Sequence, residues 1–442
     1  MSRRTSTAKT SGKTLRACLE ALRPALRRVP GLALSLALSL VLGLALGWPA
    51  LARAETRELV FGMSAAFSGP ARGLGMEYYR GLMASFEHTN AQGGAGGWRL
   101  VLSLRDDGYD PLPALANTIG FVEQERVFAL LGYVGTPTTA RVLPLLKHYE
   151  AERMVLLFPF TGADLLRERP YDPFVFNLRP SYFDETRGLV EALHAAGKRR
   201  IAVFHQGDVY GRNGWDGVRR ALRAHGLSIV AAATYRRGAA YTQDFRREVG
   251  LLEAASPDAI ITVGTAPACA AFIRDARDAG LRAPIATLSF ADADNLVKFL
   301  LAQGRVAGRD YTSGVLFSQA VPSYNDAALP AAKLYRQVMD QARVALPARL
   351  LREEYIPSRH SFVSFEGFLA GQVLAEAVRR MADAPTRARL SSVLLGMRGL
   401  DIGLGEKVSF GPGRNQGLHR TYLVVHRDGG FKAVAALPEV RP

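Results

Sequence analysis

The fold is decided by residues 127–138, which read VFALLGYVGTPT. An apolar run ends at Leu131, a turn containing Gly132 and Gly135 follows, and Thr136 opens an amphipathic segment. A short, continuous apolar run of this kind is typical of a strand buried on both faces, as in a parallel sheet covered by helices. The stretch therefore predicts an α/β fold.

The same strand–turn–helix unit recurs on both sides of this stretch. Further apolar runs lie at 59–63, 98–104, 154–158, 200–204, 228–231, 258–263 and 283–287. The tail adds helical patterns at 331–344 and 362–380 and a strand pair at 421–426 and 431–435. Two βα series and a tail that returns to both predict two lobes, each a mostly parallel sheet flanked by helices, joined by a three-crossover hinge.

The turn residues between the two series set the expected lobe boundaries. Residues 55–178 with 322–408 would form an N-terminal lobe, and 179–318 with 410–442 a C-terminal lobe. The crossovers are expected near 177–181, 317–323 and 409–414, where Pro and Gly interrupt the pattern. Ligands of open α/β sheets bind at the carboxyl ends of the strands, so we expect a site where the two rims face each other.

The N-terminus has the order of a secretory signal. A basic stretch leads into an apolar run from Gly31 to Gly47, and Ala52-Arg53-Ala54 precedes Glu55. A positive end, an apolar middle and an A-x-A site predict a cleaved signal peptide over residues 1–54 and a periplasmic protein. The alternative is an uncleaved membrane anchor, because the apolar run is just long enough to span a bilayer.

Charge and cysteine content exclude several classes of protein. The net charge is +16, but half of this surplus lies in residues 1–54, and the rest contains no basic run longer than Lys198-Arg199-Arg200. Nucleic-acid binding requires a concentrated basic stripe or a stacking platform, so we expect no nucleic-acid partner. Only Cys269 remains beyond the leader, so no intramolecular disulfide is expected and this thiol is interpreted as a small buried side chain.

Seven short strings at the predicted strand–helix junctions resemble one known family. In chain order they are FSGP at 67–70, NAQGG at 90–94, DD at 106–107, GYVGTPT at 132–138, FPFTGA at 158–163, DVYG at 208–211 and FEGF at 365–368. Together they resemble the type I periplasmic binding proteins of ABC importers, in particular the leucine/isoleucine/valine-binding branch. The resemblance implies a protein that traps a small, carboxylate-bearing, amino-acid-like ligand by hinge closure, with an inner-membrane permease as partner and no cofactor.

The loops after the third and fourth strands carry the first candidate site residues. A hydroxyl and free backbone N–H groups at a helix N-terminus suit an anion, although the same threonine can simply cap its helix. In the family, the loops matching Gly135-Thr136 and Thr161-Gly162 hold the ligand's carboxylate, and the tyrosine matching Tyr210 closes over it.

Other positions depart from the family's pattern. The family's glutamate for the ligand's ammonium aligns with Ser289, whereas Glu366 stands beside a position that is aromatic in the family. A buried glutamate in a helix needs a partner, so Glu366 is either ligand-facing or ion-paired. The family's later tyrosine corresponds to Thr265 or Ala266 and its early one to Leu74, which implies a less aromatic pocket.

Two other functions, catalysis and sensing, are alternatives to ligand binding for transport. An enzyme is disfavoured because no G-x-S-x-G, H-E-x-x-H, Walker loop or Cys/His metal spacing occurs. A periplasmic sensor that acts with a membrane signalling protein would have the same two-lobed architecture, and the residues do not separate it from an importer component.

Overall fold

The computed structural model describes residues 57–342, 344–381 and 384–434. Its N-terminal lobe is built on a five-stranded sheet. Its strands are β1 Glu58–Ala65, β2 Arg99–Asp106, β3 Ala129–Leu131, β4 Leu156–Leu157 and β5 Val175–Phe176. They lie in the order β2-β1-β3-β4-β5, and all neighbours are parallel. The α/β prediction is confirmed in this half of the chain.

The C-terminal lobe is built on a seven-stranded sheet. Its strands are β6 Ile201–Gln206, β7 Ala232–Tyr235, β8 Ala259–Val263, β9 Ile285–Thr287, β10 Val315–Gln319, β13 Tyr422–Arg427 and β14 Gly430–Ala433, while β11 Leu400–Asp401 and β12 Lys407–Val408 form a separate pair. The order is β14-β13-β10-β9-β8-β6-β7, with only β13 and β14 antiparallel to their neighbours. The strand predicted at 228–231 is wrong, because the chain pairs at β7. This edge strand alternates exposed and buried residues, whereas the prediction rests on the continuous apolar run just before it.

Helices cover the faces of both sheets. They are α1 Arg72–Ala91, α2 Pro111–Ile119, α3 Thr136–His148, α4 Tyr182–Ala195, α5 Val209–Arg223, α6 Arg246–Glu253, α7 Ala266–Asp278, α8 Ala293–Ala307, α9 Pro330–Gln341, α10 Phe362–Met381 and α11 Arg387–Leu395. Several begin at residues suited to capping. The Ser181 side chain accepts from the backbone of Asp184, whose carboxylate accepts in return, so a capping box starts α4 directly after the first crossover.

The tail helix α10 returns to the N-terminal lobe and packs along α1. Glycines make the approach close: a Cβ added at Gly81 would lie 1.9 Å from the carbonyl oxygen of Ser364, and one at Gly367 would lie 2.3 Å from that of Tyr78. A larger side chain at either position would push the two helices apart. The contact therefore fixes Glu366 of α10 beside Tyr78 of α1.

Three crossovers connect the lobes, between β5 and α4, after β10, and between β12 and β13. The first and third run side by side. The backbone N–H of Asn177 donates to the carbonyl oxygen of Asn415 at 2.7 Å, and that of Gly417 donates to the carbonyl oxygen of Asn177 at 2.8 Å. The fold is thus the predicted two-lobed one with a three-crossover hinge, while the residue boundaries proposed for each lobe stay a prediction.

The predicted signal segment, residues 1–54, lies outside the described residues. Within the described ranges, no helix combines the length and the apolar character needed to cross a membrane.

Candidate ligand-binding site

The predicted site residues lie at the carboxyl ends of the parallel strands. Strand order reverses between β1 and β3 in the first sheet and between β6 and β8 in the second, and such switch points are where open α/β sheets bind ligands. The loops that follow β3, β4, β6, β8 and β9 carry Gly135, Thr136, Thr161, Gly162, Tyr210, Thr265 and Ser289. Glu366 is the only predicted site residue that comes from the tail helix α10.

The two threonines meet. Thr136 Oγ1 and Thr161 Oγ1 are 2.7 Å apart, and both side chains are fully buried. Thr136 is the first residue of α3, and Gly135 precedes it with a φ of 104° that favours glycine. A Cβ at Gly135 would lie 2.2 Å from the Tyr109 ring, so a larger residue would displace this ring or the loop.

Gly162 and Tyr210 enclose Tyr182, the first residue of α4. The Tyr182 N–H donates to the Gly162 carbonyl oxygen at 2.7 Å, and its ring lies 5.2 Å from that of Tyr210. Burial raises the pKa of Tyr182, opposed by Arg179 and by the hydroxyls of Thr161 and Thr136. Among the described residues, this buried hydroxyl has no hydrogen-bond partner, although the two threonine hydroxyls lie near it.

Aromatic rings from both lobes fill the space between the strand ends. Phe290, which follows β9, lies 4.7 Å from Tyr210, 5.7 Å from Phe160 and 6.0 Å from Tyr109 between ring centroids. These distances are typical of favourable aromatic contacts. The five buried rings of Tyr109, Phe160, Tyr182, Tyr210 and Phe290 are called the aromatic cluster below.

A buried charged network lies next to the aromatic cluster and is formed by Arg179, Glu185, Ser289 and Glu366. Arg179 Nη2 lies 3.3 Å from Glu185 Oε1 and donates to the Ser289 hydroxyl. Glu185 also accepts from the Ser289 N–H and Oγ–H, each at 2.8 Å. Arg179 Nε lies 3.6 Å from Glu366 Oε1, so the structure makes Glu366 ion-paired. Ser289 and Glu366 are thereby connected through a guanidinium that neither motif contained.

The charged groups of this network differ in how well other groups satisfy them. The guanidinium carbon of Arg179 lies 4.4 Å from the centre of the Phe160 ring, which suits a cation–π contact. Within the described residues, its Nε and Nη1 have no hydrogen-bond partner. Burial raises the pKa of the Glu366 carboxyl to about 7, with Arg179 acting in the opposite direction. Glu366 is thus the less well satisfied carboxylate of the network.

Thr265 lies apart from the threonine pair. Its N–H donates to the Tyr235 hydroxyl at 3.1 Å, and it lines a cavity that also borders α1 and α8. The preceding Gly264 accepts from the Tyr210 hydroxyl at 3.3 Å, which keeps the Thr265 loop adjacent to the aromatic cluster.

Two further side chains escaped the sequence prediction. Arg179 lies in a segment interpreted only as a crossover, and Glu185 lies six residues later on α4. The sequence offers one local signal for them, an arginine and a glutamate on either side of a helix cap. Both side chains are fully buried. The described residues contain no group of three or more His, Cys, Asp or Glu placed to hold a metal ion.

Comparisons with known proteins agree on one family. The family model described as periplasmic binding protein matches residues 58–430. An amino acid binding protein of Pseudomonas aeruginosa is 27% identical over 264 residues, which cover 59% of this chain and 67% of that protein. Other curated relatives are matched over only 57–60% of their own length.

Solved structures extend the likeness over most of the chain. A substrate-binding periplasmic protein from Ralstonia solanacearum is 30% identical with a TM-score of 0.72, over 83% of this chain and 97% of that one. A branched-chain amino acid ABC transporter protein from Thermus thermophilus with bound valine has a TM-score of 0.73, over 86% of this chain and 96% of that one. At 18% identity, this second likeness concerns the fold alone.

Proposed function

The chain belongs to the periplasmic binding protein family, and from that premise we propose that it is the periplasmic substrate-binding protein of an ABC importer. The family binds substrates and is not enzymatic. The Thermus neighbour is described as part of a branched-chain amino acid ABC transporter, which supports an inner-membrane permease as partner. Export through the predicted signal peptide would bring the protein to that permease.

We propose a small, carboxylate-bearing, amino-acid-like ligand. The observation that carries this proposal is the position of the charged network beside the Thr136–Thr161 pair, where the strand ends of the two lobes face each other. Buried hydroxyls at the start of α3 suit a carboxylate, because both they and the helix N-terminus favour negative charge. Glu366 suits an ammonium group, since it is buried and incompletely partnered.

Hinge closure is the proposed mechanism of capture. Arg179 stands on the first crossover and contacts Ser289 of the C-terminal lobe and Glu366 of α10, which packs on the N-terminal lobe. A ligand that bound these groups would favour the arrangement in which they converge, because a ligand shifts an equilibrium towards the state it binds better. The permease would then recognise the closed form.

A ligand screen by thermal unfolding tests the proposal. The purified protein is mixed with L-amino acids, the matching carboxylic acids and the matching amines. A true ligand at a hundred times its dissociation constant should stabilise the protein by about 2.7 kcal/mol. We expect shifts from compounds that carry a carboxylate and none from amines alone.

A matched pair of variants assigns the site. Thr136→Val should abolish most of the shift, whereas Thr242→Val, at an exposed threonine of the C-terminal lobe, should leave it intact. If no carboxylate-bearing compound shifts the unfolding temperature, the proposed ligand class is wrong. If Thr136→Val binds like the parent protein, the site assignment is wrong.

A further inference from the structure

A cavity of about 330 Å³ lies at the outer side of the aromatic cluster and is called the outer cavity here. Its walls come from the start of α1, the start of α7, the first turns of α8 and the segment 354–356 of the tail. Both lobes therefore contribute to it. The head-group contacts proposed above do not use this space.

The outer cavity adjoins the candidate site along two separate elements. Leu74 lines the cavity one helical turn before Tyr78, whose ring lies 5.2 Å from that of Phe160. Thr265 lines it directly after Gly264, which accepts from the Tyr210 hydroxyl. The outer cavity is thus a neighbour of the groups proposed to hold the head group.

Arg72, Asp292, Asn295, Lys298 and Glu354 contribute polar groups to the walls of the outer cavity. The remaining walls are mostly apolar. They include the rings of Pro70, Pro267, Phe299 and Tyr355, together with Leu74. A buried apolar cavity of about 150 Å³ accommodates benzene. The outer cavity has roughly twice that volume, which is enough for a substituted or fused ring.

Segment 354–356 and the residues beside it form the roof of the outer cavity, and this roof is attached to both lobes. The Tyr355 hydroxyl donates to Glu77 Oε1 of α1 at 2.8 Å, and Glu353 forms an ion pair with Arg72 at 2.9 Å. On the other side, Lys298 Nζ of α8 donates to Ser358 Oγ at 2.7 Å. The roof thus holds a definite position over the cavity, and the mostly exposed Ile356 stands at its mouth.

We propose that the outer cavity is a ligand subsite for an aromatic ring, so that the captured compound is an amino acid or carboxylic acid with an aromatic substituent. This inference rests on the proposed function, because it takes the head group to be held at the threonine pair and the charged network. The rings of Phe299 and Tyr355 and the apolar side chains beside them suit contact with the face of a bound ring, whereas a small branched side chain would fill the 330 Å³ only in part.

Calorimetric titration of the protein, produced from the full-length sequence, tests the subsite. The probes are L-phenylalanine, 3-phenylpropionate, L-leucine and L-alanine. At least one aromatic probe should bind about ten- to a hundredfold more tightly than L-alanine, given the usual gain from burying a phenyl group, and it should also bind more tightly than L-leucine. If L-leucine or L-alanine binds as tightly as both aromatic probes, the ring subsite is wrong while the proposed function stands. If no probe binds, the ring subsite is wrong, and the thermal-unfolding screen above decides the proposed function separately.

Two substitutions of the same type locate the ring. Ala266→Leu, at the buried start of α7, reduces the cavity and should weaken the aromatic probe at least tenfold. Ala279→Leu, at the exposed end of the same helix, should leave the affinity unchanged. Equal affinities in both variants would overturn the assignment. Should Ala266→Leu fail to unfold cooperatively, Ile356→Ala replaces it at an exposed position, with an expected loss of about threefold for the aromatic probe, and an unchanged affinity there would likewise overturn it.

Discussion

Replacing Arg179 with methionine should destabilise the protein strongly. The guanidinium is fully buried and faces two carboxylates, Glu185 at 3.3 Å and Glu366 at 3.6 Å. Removing one partner of a buried ion pair costs about 3–5 kcal/mol, because the remaining charge stays desolvated. Glu185 would keep its two hydrogen bonds from Ser289, and Glu366, with a pKa of about 7, can take up a proton at neutral pH. We therefore expect the lower end of that range, about 3 kcal/mol at pH 7.

Urea unfolding followed by circular dichroism measures this loss from the shift of the midpoint at constant slope. The loss should increase at pH 9, where a proton on Glu366 is harder to keep. Arg187→Met is the matched control, because Arg187 is 59% exposed and its 2.7 Å pair with Asp184 is of the surface type. Such pairs contribute about 0.2–1 kcal/mol. If Arg179→Met loses no more stability than Arg187→Met, the network is not the buried, mutually dependent unit described here.

Three further predictions concern single groups of the described chain. Glu366→Gln should flatten the pH dependence of stability. In the parent protein, the folded state keeps the Glu366 proton up to about pH 7, while the unfolded chain releases it near its ordinary pKa. The free energy of unfolding of the parent protein should therefore fall between pH 5 and 7, and denaturation at a series of pH values would record this fall and its loss in the variant. Thr136→Val should lower stability by about 1–3 kcal/mol because Thr161 loses its partner, and adding Thr161→Val should restore part of this loss; additive losses in the double variant would contradict a direct pair. Cys269 should resist iodoacetamide until denaturant is added, since burial raises the pKa of its thiol to about 12, and mass spectrometry of its peptide would reveal any labelling of the native protein.

Most of the fold could be predicted because its signals are local. Each buried parallel strand is a short apolar run before a turn, and the turns at Gly135 and Asp208 stand where the helices α3 and α5 begin. The edge strand β7 has no continuous apolar run, because half of its residues face solvent, and the apolar run just before it predicts the strand too early in the chain. Strands β4 and β5 have only two residues each, which is too short for any periodic signal.

The candidate site could be predicted only in part, because some of its contacts have a local signal in the sequence and others do not. The family resemblance places Thr136 and Thr161 on loops that hold the ligand's carboxylate together, and the parallel pairing of β3 with β4 explains why the two side chains meet. The contact between Glu185 and Ser289 joins residues 104 positions apart through the packing of α4, and no spacing in the sequence encodes it. The sequence therefore predicts no carboxylate at Ser289, whereas the structure brings the Glu185 carboxylate to it from another helix.

Because the carboxylate beside Ser289 comes from Glu185, the two lobes would contribute different kinds of contact to a ligand. Glu185 is satisfied by Ser289 and Arg179, so the carboxylate on the C-terminal side is already neutralised inside the protein. Under the proposed function, the carboxylate and ammonium contacts would then both come from the N-terminal side, through the threonine pair and Glu366 of α10. The C-terminal lobe would contribute mainly rings, Tyr210 and Phe290, and its closure would depend on apolar contact more than on charge. Affinity for the head group should accordingly depend on salt and pH through Glu366, while discrimination between side chains should depend on the rings and the outer cavity.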